Sequence, residues 1–203
     1  MKRRVRAVIA ALIFFSVSCG AETIFQEGDI IFQTSKSAQS KAIRLATKSK
    51  YSHMGILFMK DGALCVLEAV EPVKYTPLSE WLERGEGGHY AVMRLAGAGG
   101  AINENSIKKL RQTGEGFLGR HYDPYFEWSD ERIYCSELVW KIYQRALGIE
   151  IGSLAPLGSF DLSSREVQAK IKERYGNKLP LKEKAISPAA MFASPKLVKV
   201  VEK

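Results

Sequence analysis

The stretch SHMGILFMKDGALCVLEAV, residues 52–70, places two apolar runs on either side of Asp61-Gly62. An Asp-Gly pair in that setting is a strong hairpin signal, because a two-residue turn needs positive φ angles that aspartate tolerates and glycine prefers. If these two residues form the whole loop, Lys60 lies opposite Ala63, and in the same register Gly55 lies opposite Glu68 and His53 opposite Val70. Opposed residues share a sheet face and alternate residues return to it, so His53 and Glu68 become diagonal neighbours on one face, ~7–8 Å apart between backbones. The same parity sends Cys65 to the other face, and a one-residue slip would reverse all of these assignments. Gly55 leaves room opposite a carboxylate whose burial within VLEAV is costly unless it is paired.

Outward from the hairpin, GDIIFQ (28–33) reads as a buried strand and SAQSKAIRLATKSK (37–50) as a helix with Ala38, Ala42, Leu45 and Ala46 at helical spacing. PVKY (72–75) extends the hairpin pairing. A short helix is expected from Thr76-Pro77 to Gly85, with Thr76 as its cap and Pro77 in its first turn. HYAVMRL (89–95) is a strand, followed by a glycine-rich loop at 97–100. NENSIKKLRQTGEGFLG (103–119) has a helical pattern that Gly114 should interrupt or weaken, and RHYDPYFEWSDERIY (120–134) is an aromatic, turn-rich loop. CSELVWKIYQRALG (135–148) is strongly helical, with Leu138, Val139, Ile142, Tyr143 and Ala146 on one stripe that Cys135 shares. SREVQAKIKERYG (164–176) gives one more helix. Strands and helices in separate runs predict an α+β fold, an antiparallel sheet packed against helices. No internal repeat, low-complexity segment or second-domain boundary interrupts it.

Residues 1–21 read as a secretory signal, with Lys2, Arg3, Arg4 and Arg6 ahead of a short apolar run and small residues ending at Ala21. The domain proper is then 22–203, and its destination is across the inner membrane, in the periplasm or cell envelope. SVSC resembles a lipobox whose first position is Ser16 in place of an aliphatic residue; lipidation of Cys19 would anchor the protein to the membrane instead. Removing the leader takes away four basic residues and lowers the formal net charge from +8 to +4. The remaining basic cluster, Lys36, Lys41, Arg44, Lys48 and Lys50, reads as a solvated helix face, and no nucleic-acid partner is expected.

Cys65 and Cys135 are the two cysteines of the mature chain, and in an oxidising compartment their default is a disulfide. Parity opposes that pairing if Cys135 meets the His53 face. A cysteine in the first turn of a helix lies beside backbone N–H groups without intrahelical partners, at the positive end of the helix dipole; both favour thiolate and can stabilise an oxyanion. Such a nucleophile needs a base and an orienting third group. Among His53, His89 and His121, the hairpin register selects His53 with Glu68, while Glu71, next to Pro72, is an alternative orienter. The three histidines show no ligand spacing and there is no C-x-x-C pair, so neither a metal nor another cofactor is expected.

GDIIFQ, SKAIRLATKSKYSHMGIL, LEAVEPVKYTPL, FLGRHYD, YCSELVWKIYQRALG and FDLSSREVQAKIKERYG, in this order, resemble the bacterial YiiX/YaeF-type permuted papain-like amidases of the NlpC-like cysteine hydrolase superfamily. The resemblance implies a circularly permuted papain-like core in which the histidine strand precedes the nucleophile helix. It also implies a triad of Cys135, His53 and Glu68 that forms a thioester intermediate. Tyr51 and Tyr134, each flanking a triad residue, are expected either to line the substrate cleft or to serve as packing residues. His121 stands where the family tends to have proline, adding a polar group at the cleft and a second-choice base. The implied activity is hydrolysis of an amide bond in a peptidoglycan peptide or a small acyl-amide. A lipid ester hydrolase or acyltransferase, a non-catalytic envelope-binding protein and a thiol redox protein are the alternatives. An apolar cleft would favour acyl chains and a polar one peptides; residues 122–128 are a candidate lid.

Overall fold

The computed structural model describes residues 24–97 and 102–203. The leader, Ala21 and Cys19 lie outside the described residues, as does most of the glycine-rich loop. In chain order the elements are β1 (Ile30–Ser35), α1 (Ala38–Thr47), β2 (His53–Lys60), β3 (Ala63–Glu68), β4 (Lys74–Pro77), α2 (Leu78–Glu83), β5 (Gly85–Leu95), α3 (Glu104–Glu115), β6 (His121–Tyr122), β7 (Arg132–Ile133), α4 (Cys135–Leu147), β8 (Ala155–Pro156), α5 (Arg165–Tyr175), β9 (Lys184–Ala185), α6 (Pro188–Phe192) and β10 (Leu197–Glu202). One six-stranded sheet, in the order β10-β5-β1-β2-β3-β4, is antiparallel throughout.

The hairpin has the expected register, with Lys60 opposite Ala63, Phe58 opposite Cys65 and Ile56 opposite Leu67. Asp61 and Gly62 both take positive φ, 51° and 79°. Alternation then divides β2 between two cores. Met54, Ile56 and Phe58 join Leu67, Leu110, Leu138 and Ile142 in the main core beneath α3 and α4. Leu57 turns the other way, into a smaller core with Ile31, Val66, Val92 and Trp81 of α2. His53 and Gly55 share the parity of Leu57.

Gly55 is required by this arrangement. A Cβ there would meet Val66 Cγ1 at 2.4 Å and the Leu67 carbonyl oxygen at 2.7 Å. The oxygen belongs to a paired strand and cannot yield without shifting the register. Gly55→Ala is therefore expected to destabilise the fold by about 1–3 kcal/mol, the usual range for overpacking a core, measured as a lowered urea midpoint at unchanged m.

Three local expectations are corrected. Thr76 does not cap α2: Pro77 occupies the cap position without a side-chain bond, and the Thr76 hydroxyl is used on Glu68, 2.6 Å away. The following strand begins at Gly85, four residues before His89, so no loop separates it from α2 beyond Arg84. Gly114 does not interrupt α3 but is a buried contact point, where a Cβ would lie 2.4 Å from Leu67 Cδ2 and 3.2 Å from Ile142 Cδ1. α4 runs as expected from Cys135 to a left-handed cap at Gly148, with φ 70°.

Candidate active site

Two parts of the chain distant in sequence supply the site. His53 is the first residue of β2 and Cys135 the first of α4. α4 packs on the main-core face of the sheet, the face that also carries Cys65, so parity does not account for the separation of the two thiols. Position along the strand does. Cys65 lies opposite Phe58, five residues from His53 and roughly 16 Å away at strand spacing, whereas the first residue of α4 meets β2 at its start. Both cysteines are free and buried.

His53 Nε2 is 2.6 Å from Glu68 Oε2, the diagonal contact that the register predicts. Cys135 is near enough to His53 for the two to interact electrostatically. Burial works against the charged imidazole, but the hydrogen bonds to Cys135 and Glu68 outweigh it and hold His53 up at about 9. Glu68 is fully buried. Burial alone would raise its pKa; the bond to His53, followed by Thr76 and the Arg84 charge, overcomes this and brings it down to about 2.

Four donors surround the Glu68 carboxylate. Oε2 accepts from His53 and from Trp81 Nε1 at 3.0 Å, while Oε1 accepts from Thr76 Oγ1 at 2.6 Å and from Arg84 Nη2. Trp81 also stacks along the imidazole, 6.1 Å between centroids at 26°. Sequence reasoning assigned no functional role to Trp81 or Arg84 and read Thr76 as a helix cap. The available signal was the cost of burying Glu68, which a single imidazole does not offset.

Of the other expected site residues, Tyr134 lies in the wall of an apolar pocket beside Cys135, its ring against Phe126 and its hydroxyl accepting from the Ile186 N–H at 3.1 Å. Tyr51 does not line a cleft. It packs in the main core against Phe32 and Phe192 and donates its hydroxyl to Glu202 at 2.7 Å. His121 is exposed and its Nδ1 is 2.6 Å from Glu71 Oε1. That contact removes both second choices at once, since Glu71 serves His121 and the Tyr122 N–H and not His53. Tyr122, one residue further on, was missed as a site residue. It is near enough to Cys135 for the two to interact electrostatically, and its hydroxyl accepts from Gln39 Nε2 at 2.9 Å.

Two hollows meet at this point. The apolar one, bounded by Cys135 and Tyr134, lies between α1 and α5. The other is a more open cleft with a mixed lining, bordered by the polar side chains of His53, Gln33, Arg84, Tyr122 and Arg132 and by Ile43, Ala69, Val70 and Pro124. Gln39 and Ile43 of α1 border both.

Comparison with known proteins gives a consistent assignment. A family described as "Permuted papain-like amidase enzyme, YaeF/YiiX, C92 family" matches residues 24–201. The Uncharacterized protein YiiX of Escherichia coli (strain K12) is 52% identical over 177 residues, covering 87% of this chain and 86% of that protein. A crystal structure described as metalloprotein yiiX from Escherichia coli O157:H7, DUF1105, is also 52% identical; it superposes with a TM-score of 0.84 over 88% of this chain and 97% of that one.

Proposed function

The chain belongs to the permuted papain-like amidase family, a family of cysteine hydrolases, and from that premise we propose that it cleaves an amide bond through a thioester formed on Cys135, with His53 as base and Glu68 as orienting carboxylate. The observation that carries this reading is an imidazole bonded through Nε2 to a fully buried carboxylate and close enough to a helix-initial thiol to interact with it electrostatically. The thiol proton passes to His53, and the thiolate adds to the acyl carbon. The oxyanion that forms is met by the Cys135 backbone N–H, which has no intrahelical acceptor in the first turn of α4. As the C–N bond breaks, the imidazolium returns its proton to the departing amine. Water then adds to the thioester, with His53 again taking a proton, and releases the acid. Glu68 fixes the imidazole orientation and supports its cationic form throughout, without itself accepting a proton.

The sequence of residues 1–21 supports export, so the substrate is proposed to be met in the cell envelope. A metal centre is a second reading raised by the metalloprotein description of the E. coli structure. Among the described residues no group of three or more His, Cys, Asp or Glu side chains is gathered to hold an ion, and Glu68 is already committed to four donors. The residues present do not fit such a centre, and no step is routed through one.

The reading is tested by iodoacetamide alkylation of Cys135 across pH, with Cys65 replaced by serine throughout. Because His53 stays protonated up to about pH 9 beside the thiol, wild-type alkylation should be rapid at pH 6–7, where a thiol of ordinary pKa ~8.5 is almost wholly protonated. His53→Ala should lose that advantage by about tenfold or more. Equal and slow alkylation in both proteins would remove the basis of the proposal.

A further inference from the structure

α4 carries two charged side chains that the mechanism does not use and that water barely reaches: Glu137 is 0% and Lys141 3% exposed. They stand one turn apart, with Lys141 Nζ 2.7 Å from Glu137 Oε1. The ammonium has three donors, and it also gives to the chain ahead of the helix, to the Ser129 carbonyl at 2.5 Å and to Asp130 Oδ1 at 2.8 Å, while lying 4.8 Å over the Trp128 ring. Arg145, a further turn along, holds the same Asp130 carboxylate through Nη1 at 2.9 Å and Nη2 at 2.8 Å. Glu137 Oε2 reaches back to accept from the Tyr134 N–H at 3.4 Å. Cys135 therefore lies within a loop of chain, from Ser129 to Lys141, that these side chains close.

Stability does not account for the pair. Burial pushes Glu137 up to about 8 even with Lys141 beside it, and Glu137 Oε1 faces the ammonium without a well-directed hydrogen bond. Two apolar side chains of similar volume would hold the helix as well or better. What apolar side chains cannot do is fix peptide planes. Glu137 holds the peptide that precedes Tyr134, and the Tyr134 carbonyl, accepting from the Leu138 N–H at 2.9 Å, holds the next one. That second peptide carries the Cys135 N–H assigned to the oxyanion. Neither Glu137 nor Lys141 borders either hollow of the site, so neither is placed to bind substrate.

We propose that Glu137 and Lys141 are positioning residues, a brace that ties residues 129–130 to the first two turns of α4 and so aims the Cys135 thiol at the acyl carbon and the Cys135 N–H at its oxygen. This deepens the proposed thioester mechanism and rests on it.

The test is the rate at which p-nitrophenyl acetate acylates Cys135, followed by the mass of acyl-Cys135 and by nitrophenolate release across ester concentrations, with the thermal unfolding midpoint measured on each protein. Glu137→Met combined with Lys141→Met removes both charges with little change in volume. Its midpoint should equal or exceed that of wild type. Its saturating acylation rate should fall by about 10–100-fold, the cost of misplacing reacting groups by an ångström or less, while the half-saturating concentration stays within about threefold. Glu137→Gln combined with Lys141→Met restores an acceptor for the Tyr134 N–H and should acylate about threefold or more faster than the double methionine variant. Asp130→Ala removes the half-exposed end of the brace and should lower the saturating rate by about threefold or more; it keeps the test decisive if a buried variant fails to fold. A saturating rate equal to wild type, a loss seen only as a higher half-saturating concentration, or one that merely follows a lowered midpoint overturns the brace and leaves the thioester mechanism standing. Absence of acyl-Cys135 in wild-type protein, whose Cys135 is alkylated on unfolding, overturns both.

Discussion

Cys135→Ala is expected to reduce amide and ester turnover by about 10³-fold or more, leaving the residue that binding and oxyanion stabilisation supply without a nucleophile. The side chain is 3% exposed and removing it deletes one sulfur from the edge of the main core, a loss comparable to trimming a methyl group and so about 1 kcal/mol. Activity and stability should therefore separate widely, which distinguishes a reacting group from a packing one. Cys135→Ser should not rescue turnover. A hydroxyl is a far weaker acid than a thiol, and its oxygen is a poorer nucleophile toward an acyl carbon at neutral pH. His53→Ala combined with Cys135→Ala should be little worse than either alone, because groups that act as a unit are lost as a unit. The measurements are kcat/KM on p-nitrophenyl acetate and the thermal unfolding midpoint; an alanine variant retaining a tenth of wild-type turnover would exclude Cys135 as the nucleophile.

The register of the hairpin was legible because Asp61-Gly62 leaves little choice of loop length, and period-two alternation then ties His53 to Glu68 without knowledge of anything else. What parity cannot supply is which face receives a given helix. α4 packs on the face opposite to His53, and Cys135 reaches the imidazole only because each residue is the first of its element. The donors around Glu68 were illegible for a related reason. Thr76, Trp81 and Arg84 come from β4, α2 and the α2–β5 junction, and their common target exists only after those elements fold back over β3. Thr76 preceding Pro77 is also a good local cap signal, so the local reading was outcompeted by a buried carboxylate with a larger need for a donor. The apolar pocket is a product of α1 facing α5 across more than a hundred residues of chain. Each helix is amphipathic in sequence, and nothing in either pattern says that their apolar sides stand apart.

Glu68→Gln should be costly twice. The amide keeps the volume but replaces one acceptor oxygen by an NH₂ that faces Thr76, Trp81, Arg84 or His53, all donors. Removing one member of a buried charged cluster typically costs ~3–5 kcal/mol, and at 0% exposure no water is on hand to make up the missing bond. Turnover should fall by about 10²–10⁴-fold, as expected when an imidazole loses the carboxylate that sets its orientation and supports its cation. The stability difference should depend on pH in a defined sense. His53 is raised from 6.5 to about 9 on folding, so its contribution is complete below 6.5 and is lost as pH rises through 9. Glu68 is lowered from 4.5 to about 2, so its contribution is complete above 4.5 and is lost as pH falls through 2. Wild type and variant should thus differ most between pH 4.5 and 6.5, with the gap narrowing as His53 deprotonates near pH 9 and narrowing again in strong acid. What survives above pH 9 measures the Arg84, Thr76 and Trp81 bonds, which do not depend on the imidazole proton. Urea unfolding of both proteins at pH 5.5 and 9.5, with kcat/KM alongside, separates the two roles: a gap that is the same at both pH values would mean that Glu68 holds the α2 side of the fold and lends nothing to the charge on His53.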